Sequence, residues 1–552
     1  MKEALDSTAT NSGSKHPRAL PYLFFSEMWE RFGYYLMIGI LVIYMKDTEK
    51  GGLGFDNAKA SDIFGTFIAL VFLTPFIGGL LADRILGLRI SITIGGILMG
   101  LGYIGLSLPG ETAFFVSLGF IAVGNGFFKP NISTLLGNVY NESKYIELKS
   151  TGYNIFYFGI NIGAFICNFF AAWLRNTYGF DEAFIAAGVG MFLGVIIFWV
   201  GSKSFKHADV IKPMQPEDMS LPKIFATVFM PMLLAGFMGW IIPGNIFGSD
   251  STDAFIIGAM PVVGFYISIL VRSSAQDRKP LSALMVVFCV SVVFWTIFKQ
   301  NGTALTVWAD KHTDRELPGY LETPADKLKL METVKYEKGM YQKVDEQFRT
   351  SKDEKGAIIK VESYPNYFVN RTEPIQEGQA LKLINTEIFQ SVNPGFVLLL
   401  TPVVVWFWLF LRRRKKEPEI GGKLVLSMVF TGLSAVCMVG SVWVNSNGYE
   451  KASPMWLIGA YGIITLGELC LSPVGLYRVS KLSPPRLTAL MMGGWFVSSS
   501  LGNKMSGVLA AMWDNYHNKW LYFGLNAILA FAAAIGLLFL VKWLNNIISS
   551  RL

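Results

Sequence analysis

Residues 20–45 read LPYLFFSEMWERFGYYLMIGILVIYM, an apolar run interrupted by Glu27, Glu30 and Arg31. At about 1.5 Å per helical residue, the run is longer than the roughly 30 Å of hydrocarbon in a bilayer. Ionisable groups inside such a span are costly and mark function. Their spacing puts all three on one helical face, with Tyr34 and Tyr35 about a turn further on. A local Glu27–Arg31 ion pair near the membrane edge would explain part of this. Two acids against one base still leave negative charge in excess. Lys129 lies about as far from the end of its own apolar segment as Glu27 does from the end of the first, so their depths match. With Lys129 the cluster balances, and acids that can take up a proton beside fixed cations suit ion-coupled transport.

Working outward, apolar segments follow at 61–82, 90–108, 112–132, 153–175, 182–201, 222–243, 254–272, 280–308, 387–411, 423–445, 455–478, 487–513 and 520–544. Fourteen helical spans result. The 552 residues are 52% apolar and only 16% charged, with a mean hydropathy of +0.42. A string of soluble domains is thereby excluded, because water-facing surfaces need more charge. The segments lack period-two alternation and are about twice the length of a barrel strand, which excludes a β-barrel. The expected fold class is an all-α polytopic membrane protein. The 55 glycines suit helices packed closely in lipid.

Charge sets the orientation. An even number of spans puts both ends of the chain on one side. If that side is the cytoplasm, the short inner loops hold 20 Lys or Arg and the short outer loops six. This positive-inside bias predicts cytoplasmic termini. The polar start predicts no cleaved signal peptide. The net charge of +8 lies in these loops, so no nucleic-acid partner is expected. Residues 309–386, with 14 acids and 13 Lys or Arg, fall outside as an extracytoplasmic insertion. Within it, Leu328–Val344 has the pattern of an amphipathic helix, although a solvated loop fits the composition as well. A partner protein for this segment is unknown.

Other ionisable residues stand within spans. Glu468, in GELCLSPVGL, has no basic residue within a helical turn, so it must hold a proton, bond to a neighbouring helix or meet a cationic ligand. Lys299, in FWTIFKQNG, is a gating candidate, with snorkelling as the alternative. Lys504 is expected to snorkel. The four cysteines lie in apolar stretches without metal-ligand spacing, and the four histidines lie in tails or loops, so no metal site or other cofactor is expected. No GxxxxGK[ST] segment or nucleophile elbow occurs, which argues against an ATP-driven pump and an enzyme.

These residues resemble the signatures of the proton-dependent oligopeptide transporters, a family of the major facilitator superfamily. Glu27-x-x-Glu30-Arg31-Phe-x-Tyr34-Tyr35 is similar to the family's first-helix motif. Gly79-Leu-Leu-Ala-Asp83-Arg84 with Gly87 and Arg89 resembles the superfamily loop between helices 2 and 3. Gly124-Asn-Gly-Phe-Phe-Lys129-Pro130-Asn131 and Phe156-Tyr157-Phe-Gly-Ile-Asn161-Ile-Gly163-Ala resemble the fourth- and fifth-helix motifs. Asn393-Pro394, Gly467-Glu468-x-x-x-Ser472-Pro473 and Trp495 fall where the family has its later signatures.

The resemblance implies a major facilitator fold, with 12 core helices in two six-helix bundles and two extra linker helices, as in bacterial members. Residues 1–201 would form the first bundle, 202–279 the linker and 280–552 the second bundle, interrupted by 309–386. It implies proton-coupled import of di- and tripeptides across the inner membrane by alternating access. Glu27, Glu30, Arg31 and Lys129 would couple protons. Tyr34, Tyr35, Asn161, Trp295, Asn393, Trp495 and Ser499 would line the substrate cavity, with Glu468 toward the amino group of the peptide. Three positions depart from the pattern: Ile38 stands where the family usually has arginine, Lys299 where it has an acid, and Phe72 where it has tyrosine. An acid from the insertion is expected to reach Lys299. These departures leave open another small peptide-like or amino-acid-derived solute, or a membrane sensor that does not transport.

Overall fold

The computed structural model describes residues 15–48, 50–211, 219–353, 358–371, 374–471, 479, 482–483 and 487–549. Lys212, Ser472, Pro473, Arg478, Lys481 and Arg486 lie outside the described residues. Twelve described helices are long and apolar enough to cross a membrane. Two more long helices, Ala19–Lys46 and Thr488–Ala511, complete the expected fourteen. The first is diluted by its own charges.

In chain order these are α1 (Ala19–Lys46), α2 (Asn57–Leu81), α3 (Leu88–Gly105), α4 (Glu111–Val139), α5 (Lys149–Thr177), α6 (Phe180–Gly201), α7 (Leu221–Ile241) and α8 (Asp250–Arg272). They continue with α9 (Ala275–Phe298), α10 (Val392–Arg413), α11 (Ile420–Val444), α12 (Pro454–Leu471), α13 (Thr488–Ala511) and α14 (Lys519–Ser549).

The chain packs as two compact units. The first comprises Met1–Tyr35, Thr74–Ala164 and Phe184–Met214. Its core includes the buried rings of Tyr103, Phe128, Phe156, Phe184 and Phe198. The turn after α2 is held by Asp209, whose carboxylate accepts from the backbone N–H of Leu88 at 2.7 Å and of Arg89 at 3.3 Å. An anion at a helix N-terminus satisfies amides that have no partner within the helix.

The second unit comprises Leu36–Leu73, Phe165–Ala183 and Gln215–Leu552. Val287, Phe294, Leu424, Met428 and Leu537 lie in one apolar cluster, and Trp308, Tyr461, Trp513 and Phe523 in another. In α7 and α8 most side chains of the apolar windows remain uncovered, leaving Leu233, Phe237, Trp240 and Ile267 for lipid. α8 is anchored by Tyr266, whose hydroxyl donates to the Leu490 carbonyl at 2.8 Å.

The insertion corrects the expectation for Leu328–Val344, which is not a helix. Strand β1 (Met331–Lys335) pairs antiparallel with β4 (Ala380–Ile384), and β2 (Gly339–Gln342) with β3 (Lys360–Ser363). Thr333, Val334, Tyr336 and Tyr341 favour strands, and Gly339 would weaken a helix at its middle. Leu383, Tyr367 and Phe368 make a small core, and the rings of Tyr336 and Tyr364 stack at 3.9 Å.

Glu332 of β1 ties the insertion to the helices. It meets Arg315 at 2.7 Å, Lys50 at 3.1 Å and Arg175 of α5 at 3.6 Å. Burial works against its charged form, but Arg315, Arg175 and Lys50 outweigh it and hold the carboxyl well below the usual range. A carboxyl with a depressed folded-state pKa contributes stability above its ordinary value of 4.5 and loses it as pH falls. Amide-exchange protection of β1 and β4 should therefore drop between about pH 5 and pH 3. Glu332→Gln should lower protection at neutral pH and flatten that pH dependence; an unchanged profile would remove Glu332 from the anchor.

Candidate functional site

In the first unit, the Glu27–Arg31 face of α1 is buried. Glu27, Glu30 and Arg31 are 2%, 0% and 3% exposed, so their charges must be met inside the protein. Arg31 Nη2 donates to Glu30 Oε1 at 2.7 Å, while its Nε contacts Glu30 Oε2 and lies 3.2 Å from Glu27 Oε1. One guanidinium thus serves two carboxylates. Glu27 Oε2 is buried and has no hydrogen-bond partner among the described residues. The half-buried Lys129 of α4 acts electrostatically on both acids. The local Glu27–Arg31 ion pair expected from sequence is thus part of a three-residue ion-pair group that includes Glu30.

Helix packing places this face. Gly163 of α5 lies so close to α1 that an added Cβ would come within 2.7 Å of the Met28 carbonyl oxygen and 3.5 Å of Arg31 Cβ. Small residues let helices approach in this way. Asn131, in the Lys129 motif, donates to the carbonyls of Phe127 in α4 and Gly78 in α2. Tyr34 is buried with its ring 5.3 Å from the Arg31 guanidinium carbon, and Tyr35 packs edge-on to it. Asn161 is half-buried and bonds back to the Tyr157 carbonyl at 2.9 Å.

The remaining candidates lie in the second unit. Asn393, at the start of α10, donates to Thr465 Oγ1 at 2.8 Å and to Glu468 Oε2 at 3.2 Å, both on α12. Glu468 is thus bonded to a neighbouring helix, and the Lys299 ammonium acts on it electrostatically. Lys299 Nζ also stands 5.6 Å from the ring centroids of both Phe72 and Trp295, and 5.8 Å from that of Phe298. Two departures from the family pattern therefore meet, since the phenyl ring of Phe72 presents its face to the lysine at the acidic position. Ile38 is buried. Trp295 and Trp495 are half-buried, and Trp295 Nε1 has no hydrogen-bond partner among the described residues. Ser499 is buried with its hydroxyl donated to the Trp495 carbonyl of its own helix.

Lys504 corrects the snorkelling expectation. Its side chain is fully buried, and its Nζ lies 2.6 Å from Asp62 Oδ1, 2.6 Å from Thr66 Oγ1 and 3.2 Å from Ser251 Oγ. Asp62, near the start of α2, was the available sequence signal. Nearby, an added Cβ on Gly65 would meet Gly507 Cα at 2.6 Å, and Ser500 donates to the Ala69 carbonyl.

A second ion-pair layer was also missed. Arg175 grips Glu387 through two bonds of 2.8 and 3.1 Å, Asn168 donates to Ser391 at 3.1 Å, and Gln390 donates to the Gly39 carbonyl at 3.4 Å. The ends of α1, α2 and α5 on the insertion side are thus closed against the segment leading into α10 and against α13.

The fourteen membrane-length helices among the described residues, with their buried charge clusters, are those of a multi-pass membrane transporter, and the solved structures of similar fold place it in the major facilitator class. The POT family profile matches residues 89–335 and 378–528. The chain belongs to the POT family. It is 30% identical over 512 residues to the peptide transporter YePEPT of Yersinia enterocolitica, covering 90% of this chain and 87% of that protein. Its fold is similar to a crystal structure of a peptide transporter POT in complex with sulfate, with a TM-score of 0.74, 30% identity and 96% of each chain covered. It is also similar to a POT family transporter in complex with 5-aminolevulinic acid, with a TM-score of 0.74, 25% identity, and 96% of this chain and 97% of that one covered.

Gly163→Leu should force α5 away from Met28 and lower the thermal midpoint, at a cost of about 1–3 kcal/mol for overpacking. Gly119→Leu, where an added Cβ meets nothing within 4 Å, should leave the midpoint near that of the parent. Equal midpoints for both variants would rule out the close contact.

Proposed function

We propose that this protein is a proton-coupled symporter that imports di- and tripeptides by alternating access. The buried Glu27–Glu30–Arg31 cluster beside Lys129 carries the proposal. When all four are charged, acids and bases balance; a proton on either carboxyl leaves positive charge in excess and frees part of the Arg31 guanidinium for another anion, such as the carboxylate of a peptide. Proton binding and carboxylate binding are then linked through one cation. Glu468, oriented by Asn393, is suited to a peptide amino group, and Tyr34, Tyr35, Asn161, Trp295, Trp495 and Ser499 are assigned to the substrate path. Lys299 is assigned to gating. Residues 1–201 and 280–552 are assigned to the two bundles and 202–279 to the linker. Loop charge supports an inner-membrane location with cytoplasmic termini.

A second reading has its own support. Lys299 over Phe72 alters the local chemistry from the usual family pattern, and a related transporter of similar fold binds 5-aminolevulinic acid. Another amino-acid-derived solute then replaces the peptide.

Uptake of labelled dipeptide into proteoliposomes under an imposed pH gradient separates these readings. The parent should concentrate dipeptide, and failure across a broad peptide panel would favour the other solute. Glu30→Gln should abolish pH-driven accumulation while sparing peptide counterflow, which moves no net proton. Accumulation at the parental rate by Glu30→Gln would remove that residue from coupling. Lys299→Gln should retain more transport than Lys129→Gln, and equal severe losses would place Lys299 in the coupling machinery.

A further inference from the structure

The insertion and the helix ends beside it enclose a cavity of about 570 Å3. That is ample for a solute of a few residues, since small-molecule sites measure roughly 300–1,000 Å3. Its lining comes from the end of α1, from Arg175, from the segment just past α9 and from β1 and β2. Val42, Val307, Tyr341, Phe348 and Tyr367 supply apolar and aromatic surface.

The charge lining this cavity is uneven. Seven Lys or Arg face four acids. Glu332 is already shared by Arg315, Lys50 and Arg175, and Arg175 is further engaged by Glu387, which is not part of the lining. Lys46 lies in the field of Lys311 and, with the opposite sign, of Asp310, Asp514 and Asp56. Among the described residues, Lys46, Lys335 and Lys338 form no ion pair. A cleft with surplus positive charge focuses its field on an incoming anion. Asp47, which accepts from the Lys50 and Gly52 amides, Asp310, which pairs with Arg315 at 3.5 Å, and Glu337 give the same cavity a place for an ammonium group.

We propose that this cavity is a docking site for short zwitterionic peptides, holding the terminal carboxylate among Lys46, Lys311, Lys335 and Lys338. The site rests on the peptide-symport reading and deepens it by adding a station outside the transport path. Beneath it, the Arg175–Glu387, Asn168–Ser391 and Gln390–Gly39 contacts are closed, so a docked peptide waits at a shut gate. Arg175 belongs to both structures: it lines the cavity and holds Glu387. A free inorganic anion such as phosphate shares the carboxylate's charge, and the test separates the two.

The test uses the full chain in proteoliposomes, with labelled trialanine, its C-terminally amidated form and inorganic phosphate as probes. Lys335 and Lys338 are exposed, so K335E/K338E should fold. It should raise the trialanine KM about three- to fivefold at an unchanged maximal rate, with the effect shrinking in high salt and absent for the amide. K327E/K360E makes the same charge change on exposed insertion residues outside the cavity and should leave KM as in the parent. An unchanged trialanine KM in K335E/K338E overturns the site, as does an equal rise in the control. Phosphate binding that is lost in K335E/K338E while the trialanine KM stays constant assigns the cavity to free anions and overturns the peptide site. If the parent takes up no peptide of any kind, the symport reading itself fails, and the docking site with it.

Discussion

The Glu30–Arg31 ion pair is the constraint on which the helices around it depend. A carboxylate and a guanidinium taken out of water each lose several kcal/mol of hydration, recovered only when geometry and hydrogen bonding are good. Arg31 meets that demand by spanning Glu30 and Glu27 at once, with Lys129 close enough to act on both acids. For Arg31 to sit there, α1 must lie against α5, which is where Gly163 removes a side chain. The same electrostatic demand recurs elsewhere: Lys504 brings in Asp62, and Arg175 brings in Glu387 and Glu332. Each pairing crosses between helices or ties a helix to the insertion, so each one fixes packing as well as charge.

Lys299 shows a different solution. Its ammonium lies near the faces of Phe72, Trp295 and Phe298 and within the field of Glu468. A cation over aromatic rings gains about 0.5–2 kcal/mol, with the larger value when water is excluded. A tyrosine at position 72 would add a hydroxyl to this aromatic surface. Phe72 and Lys299 thus share one contact.

The insertion is tied to the helices by shared ion pairs. Its strands deliver Glu332 to Arg175 and Arg315, so a β-structured segment outside the spans shares ion pairs with α5. The packing of α5 and the folding of the insertion are linked through those shared charges. Motion of α5 must either carry β1 with it or break the contacts at Glu332.

Much of this was legible in the amino-acid sequence. Apolar segments longer than a bilayer is thick dictate helices, because hydrocarbon offers the backbone no other partner. Acids and bases at helical spacing in the first span marked the Glu27–Glu30–Arg31 face, and loop lysines and arginines set the expected orientation. The partners at long range were not legible. Lys504 looks like a snorkelling residue until Asp62, 442 positions away, is seen beside it. Arg175 counts as one more outer-loop cation until the chain brings Glu387 and Glu332 to it. Leu328–Val344 carries helix-like periodicity, yet β1 finds β4 some fifty residues on, and pairing with a distant strand satisfies its backbone better than a helix broken at Gly339. Within the spans, sequence alone determined what each segment must do with its own backbone and which charges lie within one helical turn. Tertiary structure decided which distant counter-ion meets each buried charge, because that depends on helices packed side by side and not on spacing along the chain.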